Sequence, residues 1–92
     1  MQKSIHTPEY AALRAELLEM RERAGLSQRE LAQRLHVPHS WVAKVELGER
    51  RLDLVEFCRV ADACAAEPRH VFEQFMQRIG RPECQRTRGR SR

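Results

Sequence analysis

The sequence predicts an all-α domain of five short helices. Apolar residues recur at intervals of three and four along most of the chain, and a helix-starting residue stands at the beginning of each such segment. No segment alternates apolar and polar residues as a half-buried strand does. A length of 92 residues favours one domain. We expect a flexible arm at residues 1–7, a compact domain at 8–80 and a disordered basic tail at 81–92.

The first helix is predicted to begin at Pro8, because Thr7 is a good N-cap and proline suits the first helical position. Gly25 should end it in a left-handed conformation. Charged residues, among them Glu16 and Arg21, are assigned to the solvent face. The apolar stripe comprises Tyr10, Leu13, Leu17, Met20 and Ala24.

Two shorter helices follow, and their boundaries are marked by capping signals. Ser27 and Glu30 have the spacing of a capping box, which predicts a helix at residues 28–35. Pro38 disfavours helix at the residue before it and opens a helix at 39–47, which Gly48 ends. The residues assigned to the core are Leu31, Ala32, Leu35, Val42 and Val45.

The last two helices are predicted by the same signals. Asp53 and Glu56 form a second capping box before a helix at 54–64, and Pro68 opens a helix that Gly80 ends. The core positions assigned to this half of the chain are Leu54, Phe57, Val60, Ala61, Cys64, Val71 and Phe72.

The second and third helices, joined by a tight turn, make a helix-turn-helix. The third helix is too short to be stable alone, so its apolar side must pack on its neighbours. Its other side would then be free, with polar residues near the N-terminus. The major groove of B-DNA admits one helix, and a helix N-terminus offers unpaired N–H groups to phosphates.

This segment resembles the lambda-repressor-like helix-turn-helix regulators, the Cro/repressor or XRE family. The similar stretches are LSQRELA (26–32), LHVP (35–38), HSWVAKVELG (39–48) and RRLDLVEFCRVADAC (50–64). The resemblance spans about residues 10–76 and implies a compact five-helix domain that binds double-stranded DNA. The family commonly dimerises, so Phe75, Met76 and Ile79 are candidates for a homodimer contact. The alternative is that they extend the core.

The resemblance also implies base contacts from the third helix. His39, Ser40 and Lys44 occupy positions that usually touch base edges, and Trp41 and Ala43 lie beside them. Lys44 can donate to guanine, although a phosphate contact or simple solvation is the alternative. Ser40 could contact either a base or a phosphate, and His39 could instead cap its helix. For Trp41, packing along the helix is favoured over base contact.

The same resemblance implies phosphate contacts outside that helix. Gln28 is similar to the family glutamine that contacts phosphate, and Arg50 and Arg51 lie in the loop that approaches the sugar-phosphate chain. The alternative for both arginines is an ordinary surface charge.

Three further residues bear on stability. Glu46 is acidic on the DNA-binding helix, so an internal salt bridge or cap is the favoured interpretation. His36 and Ala65 stand where the family usually has glycine, and the position of His36 tends to need a positive φ.

The net charge of +4 lies in the tail. Residues 1–80 hold twelve basic and twelve acidic side chains, whereas residues 81–92 hold five arginines and one glutamate. The tail could bind phosphates, bind an acidic partner protein or keep the chain soluble, and the first is favoured.

Cysteine and histidine spacing predicts no metal site and no cofactor. Cys58, Cys64 and Cys84 show no CxxC spacing, so small hydrophobic side chains in a reducing compartment are favoured over a redox-sensing thiol. No signal peptide or membrane-spanning run is present, which predicts a cytoplasmic, nucleoid-associated protein without a membrane partner.

The function favoured by these patterns is a sequence-specific regulator, a dimeric repressor reading a palindromic operator through the third helix. The alternative is an antitoxin or co-regulator module that mainly binds a protein partner. An enzyme is not expected, because no nucleophile–base pairing or glycine-rich phosphate loop is present.

Overall fold

The computed structural model describes residues 7–80, and these residues form five α-helices. In chain order they are α1 (Pro8–Arg23), α2 (Gln28–Leu35), α3 (His39–Leu47), α4 (Leu54–Ala63) and α5 (Pro68–Arg78). No strand occurs between residues 7 and 80. The all-α prediction is confirmed, and α2 and α3 have their predicted bounds. The predicted tail and residues 1–6 of the predicted arm lie outside the described residues.

Side-chain caps begin three of the helices as predicted. The Thr7 hydroxyl accepts from the backbone N–H of Tyr10 at 3.1 Å. Both capping boxes are complete, because in each the N-cap side chain and the glutamate three residues later bond to each other's backbone N–H. Local sequence therefore sets where α1, α2 and α4 start.

Two turns use left-handed backbone at residues other than glycine. His36 has φ 59° and Ala65 has φ 56°. The positive φ predicted for His36 is confirmed, and Ala65 likewise has the conformation that glycine normally supplies. This conformation costs roughly 1–2 kcal/mol per residue with a Cβ atom, so tertiary packing must hold both turns in place.

The core lies where α1, α2, α3 and α4 meet, with α5 closing it through Val71. The most completely buried side chains, Ala61, Val42 and Ala32, are 0 to 2% exposed. Small residues at these positions let the helices approach closely. The other core side chains are Leu17, Met20, Leu26, Leu31, Val45, Phe57, Val60 and Cys64.

Four burial predictions were wrong, one of them that for Arg21, whose side chain was assigned to solvent but is only 13% exposed. Leu54 and Phe72 were assigned to the core but are 70% and 47% exposed. Leu54 is the first residue of α4, and on α5 the core position belongs to the neighbouring Val71. Glu16 was assigned to the solvent face but is only 4% exposed, because it forms an ion pair with Arg78 where α1 packs on α5.

The described part of the chain offers no metal site or membrane span. Within it, no group of three or more potential metal-ligating side chains occurs, and no helix has the length and apolarity to cross a bilayer. Cys58 is an exposed free thiol, whereas Cys64 is buried, and burial raises the pKa of its thiol. Cys84 lies outside the described residues.

Candidate nucleic-acid interface

The outer face of α3 collects the side chains predicted to contact bases. His39, Ser40 and Lys44 are exposed, and Ala43 is half-buried beside them. Leu47 continues this face, because it follows Ala43 by four residues and Lys44 by three, and it is 68% exposed. Leu47 was not among the residues predicted from the sequence, although its helical spacing from Lys44 indicates this face.

The first turn of α3 has no side-chain cap. Its N-cap residue is Pro38, which makes no side-chain hydrogen bond to the helix. His39 is the first residue of the helix and therefore does not act as its N-cap. Backbone N–H groups at a helix N-terminus without a side-chain cap, such as that of α3, can bind a phosphate.

An ion pair beneath α3 links it to α1 and α2. The Arg21 guanidinium donates to Glu46 through Nε at 2.6 Å and through Nη2 at 3.1 Å, and Nη1 donates to the Leu26 carbonyl at 2.8 Å. The Gln28 amide nitrogen donates to the same carboxylate at 2.7 Å. We call Arg21, Gln28 and Glu46 the Glu46 network. The internal salt bridge predicted for Glu46 is confirmed.

The Glu46 network has two consequences for the site. The hydrogen bonds that Arg21 donates to Glu46 raise the pKa of the Arg21 guanidinium, so the pair stays ionised. The network also fixes the orientation of Gln28 at the start of α2. One N–H of a primary amide is used by Glu46, and the second remains for another acceptor. A phosphate contact by Gln28 stays a prediction. The hydrogen bond to Glu46 holds the Gln28 side chain in place.

A second ion pair lies beside α3, in the loop of residues 48–53. Arg50 donates to both carboxylate oxygens of Glu56, each at 3.1 Å, and its guanidinium carbon lies 4.8 Å from the centre of the Trp41 ring. We call Arg50, Trp41 and Glu56 the Trp41 clamp. The hydrogen bonds that Arg50 donates to Glu56 raise the pKa of Arg50 and lower the pKa of Glu56.

The clamp explains the position of Trp41. This side chain is half-buried and packs against the core, as the sequence analysis favoured, while Arg50 covers its ring. A cation over a tryptophan face is attracted by the ring quadrupole. The clamp could not be predicted from the sequence, because nothing in the spacing of residues 41, 50 and 56 indicates a contact.

The same loop presents one uncovered arginine. Arg51 is exposed, and its carbonyl accepts from Arg50 Nη1 at 2.7 Å. The next residue, Leu52, donates its backbone N–H to the Tyr10 hydroxyl on α1. The peptide group that follows Arg51 is therefore held through both its carbonyl and its N–H. The phosphate contacts predicted for Arg50 and Arg51 remain predictions.

Comparison with known proteins places this geometry in a family. The family described as "Helix-turn-helix domain" matches residues 12–75. The chain belongs to the helix-turn-helix family. It is similar to the solved structure of an "XRE-family like protein from Pseudomonas syringae pv. tomato str. DC3000", with 40% identity and a TM-score of 0.74. That similarity covers 80% of this chain and 90% of the other. A comparison with curated proteins gave no match.

The family and the fold together support a DNA-binding regulator of XRE type, as the sequence resemblance implied. In this helix-turn-helix protein, α2 and α3 form the motif, and the exposed face of α3 belongs to it. The Glu46 network and the Trp41 clamp contact α3 through residues of its last and first turns. The candidate site is therefore the exposed face of α3, and the first and last turns of this helix are held by contacts with the rest of the domain.

Away from that face, the helix-turn-helix protein carries an apolar groove. Leu13, Leu52, Leu54, Phe57, Phe72 and Phe75 line a cavity of about 180 Å³. The predicted dimer residues Phe75, Met76 and Ile79 are half-buried, so part of each remains uncovered. Dimerisation through these three residues stays a prediction.

Proposed function

We propose that this protein is a dimeric transcriptional repressor that reads a palindromic operator through α3. The observation that carries the proposal is the exposed polar face of α3, which the Glu46 network and the Trp41 clamp hold against the core. A helix held in this way can enter the major groove without losing its packing. Such a protein would act on chromosomal DNA in the cytoplasm.

Base recognition in this proposal comes from four exposed positions of α3. Lys44 donates to O6 and N7 of guanine, and His39 and Ser40 contact base edges near the helix N-terminus. Leu47 is placed to contact a thymine methyl group or a sugar. Trp41 and Ala43 lie beside these residues and shape the surface that the groove meets.

Phosphate contacts fix the position of α3 in the groove. Gln28, at the first position of α2, and Arg51, in the loop after α3, precede and follow the helix in the chain and would supply donors to phosphate. Contacts of this kind set orientation and register but carry no sequence information. Arg50 belongs to the same loop.

Dimerisation supplies the second half-site. Two copies related by a twofold axis would place their α3 helices about one DNA turn, roughly 34 Å, apart. The α5 face supports this arrangement, because Phe75, Met76 and Ile79 are incompletely covered and Phe72 is exposed next to them. A repressor of this kind needs no effector domain, because occupying a promoter is sufficient to block transcription.

The proposal is tested by selecting binding sites from a randomised DNA library. Wild-type protein, Lys44→Ala and Arg69→Ala are compared at about physiological salt. We expect a palindrome with half-sites about ten base pairs apart, altered at defined positions by Lys44→Ala and unaltered by Arg69→Ala, which removes an exposed cation of α5. Loss of one good base contact costs about 1–3 kcal/mol of discrimination. Enrichment of no sequence would contradict the proposal.

A second candidate function is a module that binds a protein partner, as in an antitoxin or co-regulator. The apolar groove favours it, because Leu54 and Phe72 line the groove and are 70% and 47% exposed. Sedimentation of the purified protein separates the two candidates. A homodimer that binds DNA on its own supports the repressor, whereas a stoichiometric co-purifying protein supports the module.

A further inference from the structure

We propose that Arg50 is a positioning residue and that Arg51 alone supplies the phosphate contact of this loop. Arg50 holds Trp41 and the loop in place, and the neighbouring Arg51 side chain is thereby presented to DNA. This inference deepens the proposed function and rests on it. It assigns different roles to two adjacent arginines that the sequence alone does not distinguish.

Three of the five N–H donors of Arg50 are already bonded within the protein. Nη1 donates to Glu56 Oε1 at 3.1 Å and to the Arg51 carbonyl at 2.7 Å, and Nη2 donates to Glu56 Oε2 at 3.1 Å. One face of the guanidinium lies against the Trp41 ring. A bidentate pair with a carboxylate is among the stronger arrangements available to an arginine. A phosphate would have to displace Glu56 to reach the same donors.

The charge of Arg50 is also compensated, whereas Arg51 is exposed and no carboxylate lies within 4.0 Å of it among the described residues. Binding of a cation to DNA phosphate releases condensed counterions, and this release gives affinity its dependence on salt. A cation that remains paired with Glu56 contributes little to that release. The two arginines should therefore differ in their effect on the salt dependence of binding.

Arg50 contacts α3, α4 and the loop that joins them. Trp41 lies in the first turn of α3, between Ser40 and Val42, and Glu56 lies in the first turn of α4, where it also accepts from the Asp53 N–H. The Arg51 carbonyl accepts from the same guanidinium. Removal of Arg50 should free Trp41 and the loop together.

The test measures DNA affinity as a function of salt for wild type, Arg50→Ala, Arg50→Lys and Arg51→Ala. For Arg51→Ala, we expect the slope of log Kobs against log salt to become less negative by about 0.9. Arg50→Ala should weaken binding about tenfold at every salt concentration and leave the slope unchanged. Arg50→Lys should resemble Arg50→Ala, because lysine keeps the charge but loses the bidentate, stacked geometry.

The inference is overturned if Arg50→Ala changes the slope as Arg51→Ala does and Arg50→Lys restores both slope and affinity. That pattern would make Arg50 a phosphate ligand. It is distinguishable from failure of the proposed function, in which wild-type protein itself selects no DNA sequence.

A measurement without DNA tests the clamp separately. Trp41 is the only tryptophan of the chain, so its fluorescence reports on this contact. We expect Arg50→Ala and Glu56→Gln to shift the emission maximum and increase quenching by acrylamide, and Arg51→Ala to leave both unchanged. Glu56→Gln is a useful second variant, because glutamine can keep the capping box while the ion pair is lost. Unchanged emission in both clamp variants would overturn the positioning role even if no operator is found.

Discussion

Two ion pairs contact the helix-turn-helix of this protein, and they differ in how far water reaches them. In the Glu46 network, the Arg21 and Glu46 side chains are 13% and 11% exposed. In the Trp41 clamp, the Arg50 and Glu56 side chains are 37% and 24% exposed. Both pairs are bidentate, through Nε and Nη2 in Arg21 and through Nη1 and Nη2 in Arg50. The difference lies in the solvent around the charges.

This difference predicts different roles for similar chemistry. Removing one partner of a nearly buried pair leaves a charge that water cannot solvate well, which is costly. Removing one partner of a partly exposed pair costs little stability, because water replaces the lost partner. The Glu46 network should therefore matter most for folding, and the Trp41 clamp should matter most for where the loop lies.

The largest effect is expected from Arg21→Ala. It leaves the Glu46 carboxylate nearly buried without its cation and removes the donor to the Leu26 carbonyl. We expect the free energy of unfolding to fall by about 3 kcal/mol, measured by urea denaturation at pH 7. Arg29→Ala is the matched control, because it removes an exposed arginine of α2 and should change stability by less than about 0.5 kcal/mol.

A fall in the free energy of unfolding of less than about 1 kcal/mol for Arg21→Ala would contradict the predicted difference between the two ion pairs. It would mean that Glu46 is solvated as well as an exposed carboxylate, and the two pairs would then be equivalent. The same denaturation series on Arg50→Ala gives the second half of the comparison. Its loss should be clearly the smaller of the two.

A smaller effect of opposite sign is expected at the two left-handed turns, which contain neither ion pair. Ala65→Gly should raise the free energy of unfolding by about 0.5–1 kcal/mol, because glycine removes the Cβ strain at φ 56° but adds freedom to the unfolded chain. His36→Gly should gain less, because histidine tolerates this conformation better than alanine does. Thermal denaturation measures both variants.

If His36→Gly loses stability instead, the histidine side chain contributes a contact that outweighs its backbone strain. Ala65→Gly serves as the control for that outcome, because an alanine methyl group that is exposed has little to lose. Agreement at residue 65 with disagreement at residue 36 would place a stabilising contact in the turn before α3.

The helices could be predicted from the sequence because their signals are local. The caps at Thr7, Ser27 and Asp53 each satisfy backbone groups within three residues, so the pattern alone specifies the start of a helix. The burial of Glu16 could not be predicted, because its partner Arg78 is 62 residues away in the chain. Helical periodicity does not show which charged residue will meet an opposite charge across a helix contact.

The candidate site shows the same limit. The exposed face of α3 follows from its own spacing, and a resemblance to a known family supplied the roles of its residues. The internal pairing of Glu46 was expected from the cost of an acidic group near DNA, but its partner Arg21 was assigned to solvent. Arg50 and Arg51 are identical in type and adjacent in sequence, and only the position of Glu56 and Trp41 distinguishes them.

The smallest effect is a pH dependence that belongs to the clamp. The hydrogen bond from Arg50 lowers the pKa of Glu56 from its ordinary value of 4.5. The stability from ionised Glu56 is therefore fully present above that ordinary value and is lost as the pH falls through the lowered one. We expect the free energy of unfolding of wild type to exceed that of Glu56→Gln by less than about 1 kcal/mol at pH 7, because the ion pair between Arg50 and Glu56 is partly exposed.

Urea denaturation between pH 7 and pH 3 measures this difference directly. Other carboxylates titrate in both proteins, so their effects largely cancel when the two free energies are subtracted. The difference should narrow below about pH 4.5, and 1 M salt should narrow it at pH 7, because a partly exposed pair is screened. Glu73→Gln, an exposed change of the same charge on α5, is the control. A difference that stays constant with pH and salt would mean that Glu56 acts through its shape and hydrogen bonds, so that charge would not be what distinguishes the clamp from the Glu46 network.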